Sequence, residues 1–95
     1  MPVLSEEEID EKLSLLDGWN FSDNHIRKEY EFSNFSEALK FVNKVGEAAE
    51  DLNHHPDIFM HSWNKVKISV TTHSEGGVTE KDFVLAHLIE RAANE

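Results

Sequence analysis

The residues of this chain best suited to chemistry are three histidines: His54 and His55 in Asn53-His54-His55-Pro56, and His73 in Thr71-Thr72-His73. Imidazole has an unperturbed pKa of roughly 6.5, so its acid and base forms coexist near neutral pH. A fixed pair with a third ring nearby suits proton transfer on a small molecule. The same residue types suit a divalent metal, with His61 as a fourth candidate ligand. Against metal, there is no H-E-x-x-H helix, and adjacent histidines lack the i, i+4 spacing that aims two ligands the same way. A plainer reading is that His54 and His55 end a helix, where imidazolium complements the helix dipole. Glu50 lies one helical turn before His54, so it can share that face and orient the ring.

Helical and strand periodicities place these residues. Ser5 and Glu8 have capping-box spacing, and Ile9, Leu13 and Leu16 then recur at helical intervals. A first helix is expected from Glu6 to Leu16, ending at Asp17-Gly18. A short strand over Trp19–Phe21, a turn at Ser22-Asp23-Asn24 and a second strand over Ile26–Phe32 follow. Asn34 with Glu37 caps a long helix carrying Ala38, Val42, Val45, Ala49 and Leu52 on one face. Pro56 biases His55 away from helical backbone, so the histidine pair sits where that helix ends. A third strand is expected over Asp57–Trp63, with a turn at Asn64-Lys65. In the fourth strand Val66, Ile68, Val70 and Thr72 line one face; Lys65, Lys67, Ser69, Thr71 and His73 line the other. Ser74 to Gly77 form a loop. Thr79 and Asp82 open a last helix whose Phe83, Ala86 and Ile89 share a face. The order α-β-β-α-β-β-α predicts an α+β fold with an antiparallel sheet and the helices on one face.

Composition narrows the function. The 95 residues suggest a single domain, 1–95, with a modest core that oligomerisation would extend. Nineteen acidic residues against nine Lys and Arg give a net charge of -10, which argues against nucleic-acid binding. No apolar run is long enough to span a membrane. The acidic start lacks a signal peptide's apolar core, and there is no cysteine, so a cytoplasmic location is the simplest expectation. Asp82 reads first as a helix cap, and Gly76-Gly77 as a turn. Trp19 and Trp63 read as core or interface, and His25 and His87 as surface or packing residues.

At the histidines the chain resembles the pterin-4a-carbinolamine dehydratase family. The resemblance rests on Glu50-Asp51-Leu52-Asn53-His54-His55-Pro56, Trp63-Asn64-Lys65-Val66, Thr71-Thr72-His73, Gly76-Gly77-Val78-Thr79 and Asp82-Phe83-Val84-Leu85-Ala86. Gly18-Trp19 also falls where the family carries Gly-Trp. The resemblance implies a four-stranded antiparallel sheet covered by three helices on one face, and a homodimer or homotetramer. It implies dehydration of 4a-hydroxytetrahydropterin to quinonoid dihydropterin and water, in pterin cofactor recycling, with no metal and no organic cofactor. His54, His55 and His73 would be the acid–base set, with His55 or His73 as the acid at the hydroxyl and His54 binding or orienting the pterin. Asn53, Thr71, Thr72 and Ser74 would line the pocket, with Glu50 and Asp82 orienting histidines. Many members carry an aromatic residue two positions after the proline, where this chain has Ile58. The alternative is a noncatalytic dimeric interaction module on the same fold.

Overall fold

The fold, obtained as a computed structural model, is described over residues 2–95. Its elements are α1 (Glu6–Leu13), β1 (Asn20–Ser22), β2 (His25–Glu31), α2 (Phe35–Leu52), β3 (Asp57–His61), β4 (Lys65–Val70) and α3 (Glu80–Ala93), with a short 3-10 turn at His73–Glu75. The four strands form one antiparallel sheet in the order β1-β2-β4-β3. The expected order and class are therefore those observed.

Alternation explains why the helices share one face. Ile26 and Tyr30 of β2 and Val66, Ile68 and Val70 of β4 are buried on one side of the sheet. They merge with Ile9 of α1, Ala38, Phe41 and Val45 of α2, and Phe83, Leu85, Ala86 and Ile89 of α3 in one core. Each Val, Leu, Ile or Phe among them contributes roughly 1.5–3 kcal/mol on burial. On the opposite side Glu29 faces Lys67 and Glu31 faces Lys65 across the β2–β4 pair, so opposite charges meet on the open face. Among the described residues no helix is long and apolar enough to cross a membrane.

β1 and β2 are each shifted by one residue from expectation, and three boundaries differ by more, each for a local reason. α1 stops at Leu13, because Leu15 and Leu16 donate to the carbonyls of Lys12 and Leu13 in tight i→i+3 bonds. β3 stops at His61, because Ser62 and Trp63 both take positive φ, 52° and 59°. The turn is thus Ser62-Trp63-Asn64, and Lys65 already belongs to β4. Asn64 secures it by bonding both ways with the Phe32 backbone. β4 ends at Val70, and His73 begins the 3-10 turn instead of extending the strand. The β1–β2 connection has positive φ at Asp23 and Asn24, the conformation of a tight two-residue hairpin.

Candidate active site

The end of α2 separates the two adjacent histidines. Asn53 adopts a left-handed conformation (φ 52°, ψ 44°) just past the last turn. Its N–H reaches the Glu50 carbonyl at 3.1 Å, and the His54 N–H reaches back to Ala49 at 3.0 Å. These paired bonds are a Schellman closure, with Asn in the place usually held by Gly. The reversal sends His54 inward, where it is buried, and leaves His55 exposed. Glu50 consequently pairs with His55 and not with His54, contrary to the one-turn spacing. Both of those side chains are more than half exposed, so the pair contributes little to stability.

His54 is tied to the start of α3. Its Nε2 lies 2.5 Å from Oδ1 of Asp82, which is fully buried. The other carboxylate oxygen accepts from the Thr79 backbone N–H and from the Thr72 hydroxyl, each at 2.8 Å. Since Thr72 spends its one proton on Asp82, the 2.8 Å contact between the Thr72 and Thr79 hydroxyls is donated by Thr79. A carboxylate oxygen accepts, so His54 carries its proton on Nε2, and in the neutral ring Nδ1 is the lone-pair atom. Asp82 is therefore both the capping residue read from the sequence and the anchor of a histidine.

One hollow of about 260 Å³ is lined by Asn53, His54, His55, Thr71, Thr72, His73 and Ser74. This lies just below the roughly 300–1,000 Å³ typical of ligand clefts. The α2 terminus supplies one wall, and the segment after β4 supplies the other. Thr71 donates to the Asn24 carbonyl at 2.7 Å, which fixes that wall to the β1–β2 hairpin. His73 is exposed at the start of the 3-10 turn. Ile58 does not line the hollow; it sits in β3 opposite Ile68. His61 also lies elsewhere, on the open sheet face, stacked on Phe59 and 3.2 Å from Glu29. Among the described residues no group of three or more His, Asp or Glu side chains is arranged to hold a metal ion. A larger hollow of about 640 Å³ on the outer side of α2, between Asn43 and Asp51, contains no histidine.

His25, read from the sequence as a surface or packing residue, has three neighbours. Nδ1 is 2.7 Å from the Asp23 carbonyl, Nε2 is 3.9 Å from the Asp57 carboxylate, and the ring packs against His73. The signal lay in strand register. Ile26 pairs with Val70, so His25 begins β2 beside the segment that leads to His73.

The sequence and the fold both match known proteins. The model of the family described as pterin 4 alpha carbinolamine dehydratase matches residues 2–92. A Sulfolobus acidocaldarius protein, provisionally named pterin-4-alpha-carbinolamine dehydratase, is 43% identical over 88 residues, spanning 93% of this chain and 96% of its own. A crystal structure described as a transcriptional coactivator/pterin dehydratase from Brucella melitensis superposes with a TM-score of 0.90. It is 39% identical and covers 96% of this chain and 98% of its own. A pterin dehydratase-like protein identified as a RuBisCO assembly factor in the alpha-carboxysome has the same fold, with a TM-score of 0.65 at 17% identity over 81% of this chain and 88% of its own. With a match running almost end to end, the chain belongs to the pterin 4 alpha carbinolamine dehydratase family.

Proposed function

We propose that this protein dehydrates 4a-hydroxytetrahydropterin to quinonoid dihydropterin by histidine acid–base catalysis, in the recycling of a pterin cofactor. The observation that carries the reading is the convergence of His54, His55 and His73 on one small hollow from two separate segments. The reaction breaks the C4a–O bond, with a proton delivered to the departing hydroxyl to make water. The N5 proton leaves, and its electron pair forms the C4a–N5 double bond. No proton is gained or lost overall, so one acid and one base suffice. His55 and His73 are the exposed rings, suited to exchanging protons with the substrate, one at the hydroxyl and one at N5. His54, buried and held through Nε2, suits binding and orienting the pterin with its remaining nitrogen. Asn53, Thr71, Thr72 and Ser74 complete the pocket wall, and Glu50 and Asp82 hold His55 and His54.

The test is the rate of 4a-hydroxytetrahydropterin loss followed by ultraviolet absorbance. Replacing His55 or His73 by Ala should lower turnover by about 10²-fold or more in a folded protein. Unchanged turnover in the His54, His55 and His73 variants alike would refute the assignment. The coactivator description of the Brucella structure favours a second reading, a noncatalytic dimeric interaction module. That reading requires wild type to leave the substrate's spontaneous rate unchanged. The homodimer or homotetramer expected from the family is decided by sedimentation equilibrium.

A further inference from the structure

The three site histidines are anchored unequally. His54 is held by Asp82 and His55 by Glu50, but the His73 side chain has no hydrogen bond or ion pair among the described residues. Its ring instead meets the ring of His25 edge-to-face, with centroids 6.2 Å apart and planes at 74°. His25 is itself restrained by a hydrogen bond to the hairpin. Its Nδ1–H donates to the Asp23 carbonyl at 2.7 Å, which fixes both tautomer and ring plane. Its Nε2 faces Asp57 of β3 at 3.9 Å, and its side chain is only 19% exposed. A second hollow of about 230 Å³, lined by His25, His73, Asn24 and Gly76 among others, shares Thr71 and His73 with the site, so His73 divides two adjoining hollows. A ring in that position can swing to either side unless something stops it.

We propose that His25 is a positioning residue for His73: it buttresses the His73 ring so that it faces the hollow shared with His54 and His55. The inference rests on the reading of His73 as a proton-transfer group. His25 acts through packing, and it need not touch the substrate. Its place at the start of β2 and its hydrogen bond to the β1–β2 hairpin transmit the rigidity of the sheet to a ring that stands on a short turn.

Two variants and a double-mutant cycle test this. His25→Ala removes the buttress, and His25→Phe keeps an aromatic ring without its nitrogens. His25→Ala should lower kcat by about 10-fold, within the range that misplacing a reacting group by an ångström produces, and change KM less than about 2-fold. His25→Phe should recover most of that loss. In a His73→Ala background, His25→Ala should cost nothing further, because its effect runs through the missing ring. Equal losses with and without His73 would overturn the proposal. An activity-independent readout separates it from the dehydratase reading. The ring-proton NMR signals of His73 in the ligand-free protein should move in His25→Ala and stay near their wild-type positions in His25→Phe. Unmoved His73 signals in His25→Ala would overturn the positioning role, whatever the protein's activity. Absence of turnover in wild type, with the signals moving as expected, would overturn the dehydratase reading and leave the buttress standing.

Discussion

Replacing Asp82 by Ala should destabilise the protein by about 3–7 kcal/mol, the sum of a lost helix cap and two buried donors left without their acceptor. The structure gives the parts. Asp82 accepts from the Thr79 N–H, and loss of such a helix cap costs about 1 kcal/mol. The His54 Nε2–H and the Thr72 hydroxyl would each lose a buried acceptor, at about 1–3 kcal/mol apiece. A chain of 95 residues has a total stability of about 5–14 kcal/mol at roughly 0.05–0.15 kcal/mol per residue. Asp82→Ala therefore removes a large share of it and lowers Tm by more than about 12 °C. Asp82→Asn has a different effect. Its amide oxygen can still accept from Thr79 and Thr72, but its NH2 group now faces His54 Nε2. His54 must then carry its proton on Nδ1, the opposite tautomer. Asp82→Asn should keep the fold and lower turnover by at least about 10-fold, as a wrong tautomer does in other histidine enzymes. Urea unfolding followed by the buried Trp19 gives the stability, and the absorbance assay gives the turnover. Asp82→Ala within about 1 kcal/mol of wild type would refute the energetic reasoning. Full turnover in Asp82→Asn would refute the claim that the His54 tautomer matters.

Asn53 occupies left-handed backbone, so Asn53→Gly should leave stability nearly unchanged while Asn53→Ala costs about 1–2 kcal/mol, measured by urea unfolding. Equal effects would show that the reversal after α2 does not depend on that conformation. Gly18 has φ +81°, and a Cβ there would lie 3.0 Å from the Lys28 side chain, which is 2.5 Å from Glu90. Gly18→Ala should thus destabilise by at least about 1 kcal/mol, checked by thermal unfolding. Burial, reinforced by the Glu90 carboxylate, pushes the Tyr30 phenol well above its usual range, and its hydroxyl has no hydrogen-bond partner. The folded state keeps a proton that the unfolded chain releases from about pH 10, so this contribution is complete below pH 10 and lost as pH rises beyond it. Between pH 10 and 11 wild type should lose up to about 1.4 kcal/mol more than Tyr30→Phe, and identical pH slopes in the two proteins would refute the effect.

What could be read in the sequence was what local physics determines. Ala38, Val45 and Ala49 announce α2 because a helix with one buried face repeats at that interval, and the structure buries those residues. Val66, Ile68 and Val70 announce β4 for the matching reason. Ser5 and Thr79 mark helix starts because their side chains satisfy N–H groups that have no helical partner. The misread boundaries fall where tertiary bonds override local preference. Trp63 is a strand-forming residue type, yet it takes φ 59° because Asn64 is bonded into the backbone of Phe32 at the end of β2. His25 escaped because its partners come from β3 and from the turn after β4, and no spacing within β2 reveals them.

The histidine pair shows how one backbone torsion divides adjacent identical residues. On continuing helix, His54 and His55 would point about 100° apart, and Glu50 would lie one turn below His54. The left-handed Asn53 breaks that geometry and gives each ring a different carboxylate. His54 meets a fully buried one whose other oxygen is already occupied, which fixes its tautomer. His55 meets an exposed one that leaves it in contact with solvent. A buried, oriented ring and an exposed ring are what a binding role and a proton-exchanging role respectively require. His73 then has to come from elsewhere in the chain, because a third ring on the same segment could not face the pair across a hollow. Its placement on a short turn instead of on β4 brings it opposite the α2 terminus, but leaves its orientation to a neighbour, and His25 is the neighbour in contact with it.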